Sequence, residues 1–169
     1  MKQTLIDYAK RGAFDELYTP MYAVEPITDA IFSATDVIWC PFDTSESNIV
    51  KFFKERGYKV IHSHISEGKD FFQYEPDEHY DIIISNPPYS IKDQVLERCY
   101  QLGKPFALLL PITALEGSRR GKLFKSKGID LLVLDKRVDF NGKGKCWFNT
   151  SWFCWRTAID GIQFASISK

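Results

Sequence analysis

Apolar and polar positions divide the chain into short apolar runs separated by amphipathic stretches. Residues 36–40 (DVIWC), 58–65 (YKVIHSHI), 81–85 (DIIIS), 105–112 (PFALLLPI) and 129–135 (IDLLVLD) are short apolar runs of the length expected of buried strands. Residues 146–156 (CWFNTSWFCWR) read as a late strand. The stretch 43–57 (DTSESNIVKFFKERG) opens with capping residues, carries apolar Ile49, Val50, Phe52 and Phe53, and closes at Gly57, so it predicts a helix. In 91–103 (IKDQVLERCYQLG), Ile91, Val95, Leu96, Cys99 and Leu102 recur near helical spacing before Gly103. Residues 2–17 read as helical up to Gly12 and then turn; after the Thr19-Pro20 break another helix is predicted from about Ala23 to Phe32. No repeat, low-complexity tract or linker interrupts this order.

Strands alternating with helices predict an α/β fold: a mostly parallel sheet with helices on both faces and an antiparallel closing hairpin. The 169 residues suffice for one hydrophobic core and are short for two, so a single domain without a separate target-recognition domain is expected. In such sheets ligands sit in the crevice beyond the carboxyl ends of the strands. Asn86, after the run DIIIS, stands at one of those ends.

Composition changes this picture little. Lys and Arg number 22, as do Asp and Glu, so no overall basic charge draws the chain to nucleic acid, although a local basic face remains open. Cys40, Cys99, Cys146 and Cys154 are scattered and form no CxxC pair, which favours free thiols in a reducing cytoplasm and no metal site. No leading apolar segment marks a signal peptide or membrane span, so a cytoplasmic location is expected.

The chemistry concentrates in Asn86-Pro87-Pro88-Tyr89. An arbitrary Asn-Pro-Pro is a turn. Here it follows a buried strand and precedes a helix. An amino group conjugated to a ring or carbonyl is planar and a poor nucleophile. Two acceptors around its N–H groups pull the nitrogen towards tetrahedral geometry. The Asn86 side-chain oxygen is one acceptor, and the Pro87 carbonyl, aimed by locked backbone, is the other. Tyr89 offers a ring face for a flat base.

This tetrapeptide after DIII resembles the catalytic motif of S-adenosylmethionine-dependent adenine amino-methyltransferases of phage and bacterial type. Other pieces agree in order. DELYTPMYAVEPI (15–27), centred on Thr19-Pro20, resembles the family's N-terminal cofactor motif. GKDFF (68–72) resembles the segment in which an acid, here Asp70, meets the cofactor's adenine amine and Phe71 lies against its ring. LLLPIT (108–113) matches the next strand, and KRVDF with WFNTSWFCW (136–155) resembles the closing part, where an aromatic helps to hold the target base. The resemblance implies a class I, Rossmann-like methyltransferase fold, S-adenosylmethionine as cofactor, and direct in-line transfer to adenine in DNA or RNA. A base in a duplex would be flipped out to reach Asn86.

Two departures are visible. The family's glycine-rich loop is replaced by WCPFDTSESN (39–48), which has no glycine. Pro41 matches a common proline, Cys40 stands where an acid is usual, and Asp43 is placed to meet the methionine ammonium. The second strand ends in HSHI (62–65) instead of an acid that grips the ribose, leaving Ser63 or His64 for that contact.

Towards the C-terminus, Phe148 and Trp152 are the expected base-facing pair, with Trp147, Phe153 and Trp155 mostly on the other face. Arg119, Arg120, Lys122, Lys125, Lys143 and Lys145 are expected to flank the cleft and track phosphates. With little chain left for target recognition, a single-stranded or RNA target, low sequence specificity, dimerisation or a partner subunit is expected. Methylation of a protein glutamine amide uses the same four residues and stays open. So does a non-catalytic binding protein of the same fold, because of the glycine-free loop.

Overall fold

The structure, a computed structural model, describes residues 18–144 and 148–168. The helix expected up to Gly12, with the turn that follows it to residue 17, lies outside them. The described chain begins with α1 (Met21–Val24), continues as a 3-10 helix (Glu25–Ala30) and enters β1 (Val37–Cys40). There follow α2 (Asn48–Glu55), β2 (Lys59–His62), β3 (Ile82–Ser85), α3 (Lys92–Leu102), β4 (Phe106–Pro111), α4 (Ser118–Lys127), β5 (Asp130–Leu134), β6 (Thr150–Trp155) and β7 (Ile162–Ala165).

The strands form one seven-stranded sheet in the order β2-β1-β3-β4-β6-β5-β7. β2, β1, β3 and β4 run parallel. β6 inserts between β4 and β5, antiparallel to both, and β7 returns parallel to β5 at the edge. The expected antiparallel closing pair is therefore β5 with β6.

Side-chain alternation along the strands splits the core into two layers. Ile38, Cys40, Ile82, Ile84, Leu109, Leu132 and Trp152 face the layer covered by α1 and α2. Trp39, Ile83, Leu108, Leu131, Phe153 and Trp155 face the layer covered by α3 and α4. Near-continuous apolar strands follow directly, since both faces of the sheet are buried.

Several boundaries differ from expectation, each for a local reason. The helix expected from Ala23 continues as a 3-10 segment, with Pro26 in its first turn, where no N–H is available for an α-type bond. α2 starts at Asn48 and not 43, because Thr44 and Ser47 close a turn on themselves: the Thr44 N–H donates to Ser47 Oγ at 3.0 Å. β2 stops at His62, because His64 caps a 3-10 turn by accepting from the Ser66 N–H at 3.1 Å. α4 was not expected. It buries little, with Leu123 and Phe124 as its apolar contacts, so its periodicity is faint. β7 was not expected either: Ile162 and Phe164 are exposed, so it lacks the half-buried pattern of a strand.

Among the described residues no helix is long and apolar enough to cross a membrane. Among the same residues no group of three or more His, Cys, Asp or Glu is placed to hold a metal ion.

Candidate functional site

The sheet order itself places a crevice. β1 passes through α2 to β2 on one side, whereas β3 passes through α3 to β4 on the other. The segments leaving the carboxyl ends of β1 and β3 therefore diverge, and ligands of open α/β sheets bind at such a switch point. Residues 41–47 border the crevice from β1, and residues 86–91 border it from β3.

Asn86 is half-buried at the end of β3. Its side-chain nitrogen donates to Thr19 Oγ1 at 3.0 Å. Thr19 is itself buried, and its carbonyl accepts from Asn48 Nδ2 at 3.0 Å, at the start of α2. Thr19-Pro20 is thus clamped between the two segments that border the crevice. Because the carboxamide is planar, holding the nitrogen on Thr19 turns Oδ1 to the opposite side. Pro87 is buried and Pro88 half-buried; Pro88 leads into a short 3-10 turn, Tyr89–Ile91.

Tyr89 meets Phe148 edge-on, with centroids 5.6 Å apart and planes at 82°. Phe148 in turn stacks on Phe140 at 6.2 Å. Both phenylalanines belong to the connection between β5 and β6. That connection is tied to α1, the Asp139 N–H donating to the Tyr22 hydroxyl at 2.9 Å, and is closed on itself by Arg137 Nε donating to Asn149 Oδ1 at 2.9 Å. Three aromatic rings, Tyr89, Phe148 and Phe140, are thereby gathered next to the Asn86 segment.

The β1 side is acidic. Asp43 is buried, and its Oδ2 accepts from Ser85 Oγ at 2.7 Å. Its N–H donates to the Ser63 carbonyl at 3.2 Å. Burial pushes the Asp43 carboxyl up to about 6, against hydrogen bonds from Ser85 and Ser47 that favour the ionised form. Pro41 is buried beside it. His64 Nδ1 lies 2.7 Å from Ser66 Oγ. Further along, Asp70 is buried and accepts from the Phe72 N–H at 2.9 Å.

Direct contacts thus link Thr19 with Asn86 and Asn48, Asp43 with Ser85 beside Asn86, and Tyr89 with Phe148. Other expectations are corrected. Cys40 points into the α1–α2 layer, where burial raises its thiol, so it does not stand in for an acid. Ser63 is fully buried and its hydroxyl accepts from Trp39 Nε1 at 3.0 Å; it latches β2 to β1. Phe71 is fully buried, its ring 4.8 Å from Phe42 and 5.6 Å from Trp39. Its half-buried neighbour Phe72 is the aromatic nearer solvent. Trp152 is also fully buried, its indole N–H donating to the Ala23 carbonyl at 3.0 Å, so it supports α1 and does not face a base.

The basic residues divide as well. Arg119 makes a two-pronged pair with Glu97 at 2.5 Å, and Arg120 bonds Asp93, Ala114 and Glu116. Both arginines fasten α4 to α3 or to the turn before it. Lys122, Lys125 and Lys143 are exposed, while Lys145 lies outside the described residues. Sequence reasoning missed Ser85, Asn48, Tyr22 and Phe140. Only Ser85 carried a signal, a polar residue ending the run DIII.

No family model matches the chain, and no curated protein matches it. Solved structures match its fold. A protein assigned to the class I S-adenosylmethionine-dependent methyltransferases, from Listeria monocytogenes, superposes with a TM-score of 0.52 at 13% identity, over 98% of this chain and 70% of the other. The 23S rRNA methyltransferase ErmE superposes with a TM-score of 0.51 at 10% identity, over 86% of this chain and 72% of the other. The chain has the α/β, Rossmann-like fold of class I S-adenosylmethionine-dependent methyltransferases.

Proposed function

We propose that the protein transfers a methyl group from S-adenosylmethionine to a planar amine, the exocyclic amine of adenine in DNA or RNA. The observation that carries this is the placement of Asn86 at the switch point. Its amide is oriented by Thr19, the preceding residue Ser85 bonds the buried Asp43, and Tyr89 of the same segment meets Phe148.

The donor set suits the cofactor. S-adenosylmethionine presents a sulfonium, an ammonium, a ribose diol and an aromatic amine, all of which seek negative charge or acceptors. In this reading Asp43 meets the ammonium, His64 with Ser66 the ribose and Asp70 the adenine amine; the buried carboxyls of Asp43 and Asp70 are acceptors suited to such groups. When bound, the cofactor supplies an electrophilic methyl group whose departure leaves a neutral thioether.

The chain's own residues act on the amine. Asn86 Oδ1 and the Pro87 carbonyl accept its two N–H groups, localise the lone pair and fix its direction of attack. Oδ1 is closed to solvent in this structure, so the amine reaches it by displacing what covers it; an amide oxygen accepts up to two hydrogen bonds. Tyr89, backed by Phe148, provides the flat contact for the base. Neither acceptor takes the proton, which passes to water after transfer.

The test is incorporation of a tritiated methyl group into mixed single- and double-stranded DNA and RNA, followed by nucleoside analysis. Methylated adenine that disappears with Asn86→Ala is the expected result. Label in a glutamine-containing peptide and not in nucleic acid would move the substrate to a protein amide. No transfer to any of these, and no cofactor binding by calorimetry, would leave a binding protein of this fold.

A further inference from the structure

We propose that Asp43 is a positioning residue that ties the cofactor side of the crevice to the catalytic strand and gives up its proton when the cationic cofactor binds. This rests on the methyl-transfer reading above and adds a linkage that the reading does not require.

The geometry is that of a crosslink. Asp43 Oδ2 accepts from Ser85 Oγ at 2.7 Å, and Ser85 is the residue immediately before Asn86. The Asp43 N–H holds the Ser63 carbonyl at 3.2 Å, just beyond β2. Ser47, the residue before α2, acts on the same carboxyl and favours its ionised form. One buried residue therefore joins the carboxyl ends of β2 and β3 just beyond β1, to Ser63 through its backbone N–H and to Ser85 through its carboxylate. A change in its charge is felt by the backbone that aims Asn86.

The loop makes this acid the natural counter-charge. Without glycine, the backbone of 41–47 has a Cβ at every residue and approaches a ligand less closely. Backbone carbonyls held farther from a cationic ligand solvate it less, which leaves a larger share of that task to a side-chain carboxylate. The other acid of the loop, Glu46, is exposed and paired with Lys51 at 2.8 Å. Asp43 is the buried one.

Charged groups around it are few. From the β2 side His64 acts on it and favours its ionised form. Cys40, at the end of β1, is held neutral by burial and by Asp43 itself, while Lys54 on α2 acts on Cys40 in the opposite sense. From β3 and from the start of α2 come the hydroxyls of Ser85 and Ser47. Burial places the Asp43 carboxyl at about 6, so a fraction of the free protein carries the proton near neutrality. A positive ligand beside the carboxyl favours loss of that proton. The O–H bond of Asp43 breaks, the proton leaves to the buffer, and the hydroxyls of Ser85 and Ser47 donate to the carboxylate that forms.

The experiment is titration calorimetry of the full chain with S-adenosylmethionine and with its demethylated product, in pairs of buffers of different ionisation heat. Between about pH 5 and pH 8 the buffer dependence counts protons exchanged on binding. Release of about half a proton per cofactor near pH 6, falling to none by about pH 8, is expected for the wild type. Asp43→Asn should bind without proton release and with a pH-independent affinity. If that variant does not fold, Ser85→Ala serves instead: it removes a donor to the carboxylate and should move the release to higher pH. Wild-type binding without proton exchange, equal release in Asp43→Asn, or an unmoved midpoint in Ser85→Ala would each overturn the proposal while leaving methyl transfer standing. Failure of the wild type to bind either cofactor form would overturn the methyl-transfer reading itself, and this proposal with it.

Discussion

Thr19 Oγ1 accepts a 3.0 Å hydrogen bond from the side-chain nitrogen of Asn86, across 67 residues of sequence. The bond turns a freely rotating carboxamide into one with a defined oxygen direction. Asn86→Ala should abolish methyl transfer while cofactor affinity by calorimetry changes less than about threefold, because the lost contacts act in the transition state. Thr19→Val keeps the shape and removes the acceptor. Turnover should fall about 10- to 100-fold, as misorientation of a reacting group does. Thr19→Ser should recover most of it. A valine variant as fast as wild type would show that this bond does not orient the amide.

Trp152 and Phe148 separate packing from binding. Trp152 is fully buried and holds the Ala23 carbonyl, so Trp152→Ala should cost about 3–5 kcal/mol in chemical denaturation. Phe148 is half-buried and edge-on to Tyr89, so Phe148→Ala should cost under about 1 kcal/mol of stability but weaken substrate binding severalfold. Equal destabilisation by the two changes would place Phe148 in the core as well.

The strands were legible because alternation over a doubly buried sheet leaves a strong apolar signal, and so was Asn86 at a strand end. Contacts made across the fold were not. The apolar face of Trp152 was visible, but whether it met α1 or a ligand depended on residues 21–30, over a hundred positions earlier. In Phe71-Phe72, adjacent identical residues give no hint of which ring turns inward. Arg119 and Arg120 read as a basic patch because their partners, Glu97 and Asp93, lie on another helix. Asp43 entered as a ligand for an ammonium. Its bond to Ser85 joins two strand ends that only the sheet order makes neighbours.

The same carboxyl gives a stability prediction with a definite sign. Asp43 is raised in the folded state from 3.8 to about 6. The folded protein therefore binds more protons than the unfolded chain between those values. This contribution is fully present below about pH 4 and is lost as pH rises through about 6, at most about 3 kcal/mol. Asp43→Asn, which mimics the neutral form, should flatten that part of the pH profile and gain relative to wild type above about pH 6. Urea melts between about pH 4 and pH 8 compare the two proteins. A variant that keeps the wild-type slope would assign the titration to another group.

Charge at the mouth gives the last prediction. α4 begins just beyond the carboxyl end of β4, on the same edge of the sheet as Asn86, and then runs away at 1.5 Å per residue. Its arginines are engaged by Glu97, Asp93 and backbone carbonyls, whereas Lys122, Lys125 and Lys143 are exposed. Phosphate contact should therefore come from the lysines. Arg120→Ala should act on stability, by about 1–3 kcal/mol, because it strips hydrogen bonds from a side chain that is only 13% exposed. The triple change Lys122→Ala, Lys125→Ala, Lys143→Ala should leave stability nearly unchanged. In fluorescence anisotropy with a labelled single strand, it should weaken binding uniformly across sequences. It should also reduce the slope of log affinity against log salt by about two, since each neutralised phosphate on a single strand contributes about 0.7. An identical slope in wild type and triple variant would put the phosphate path elsewhere. Binding by the wild type that ignores salt altogether would argue against a nucleic-acid substrate.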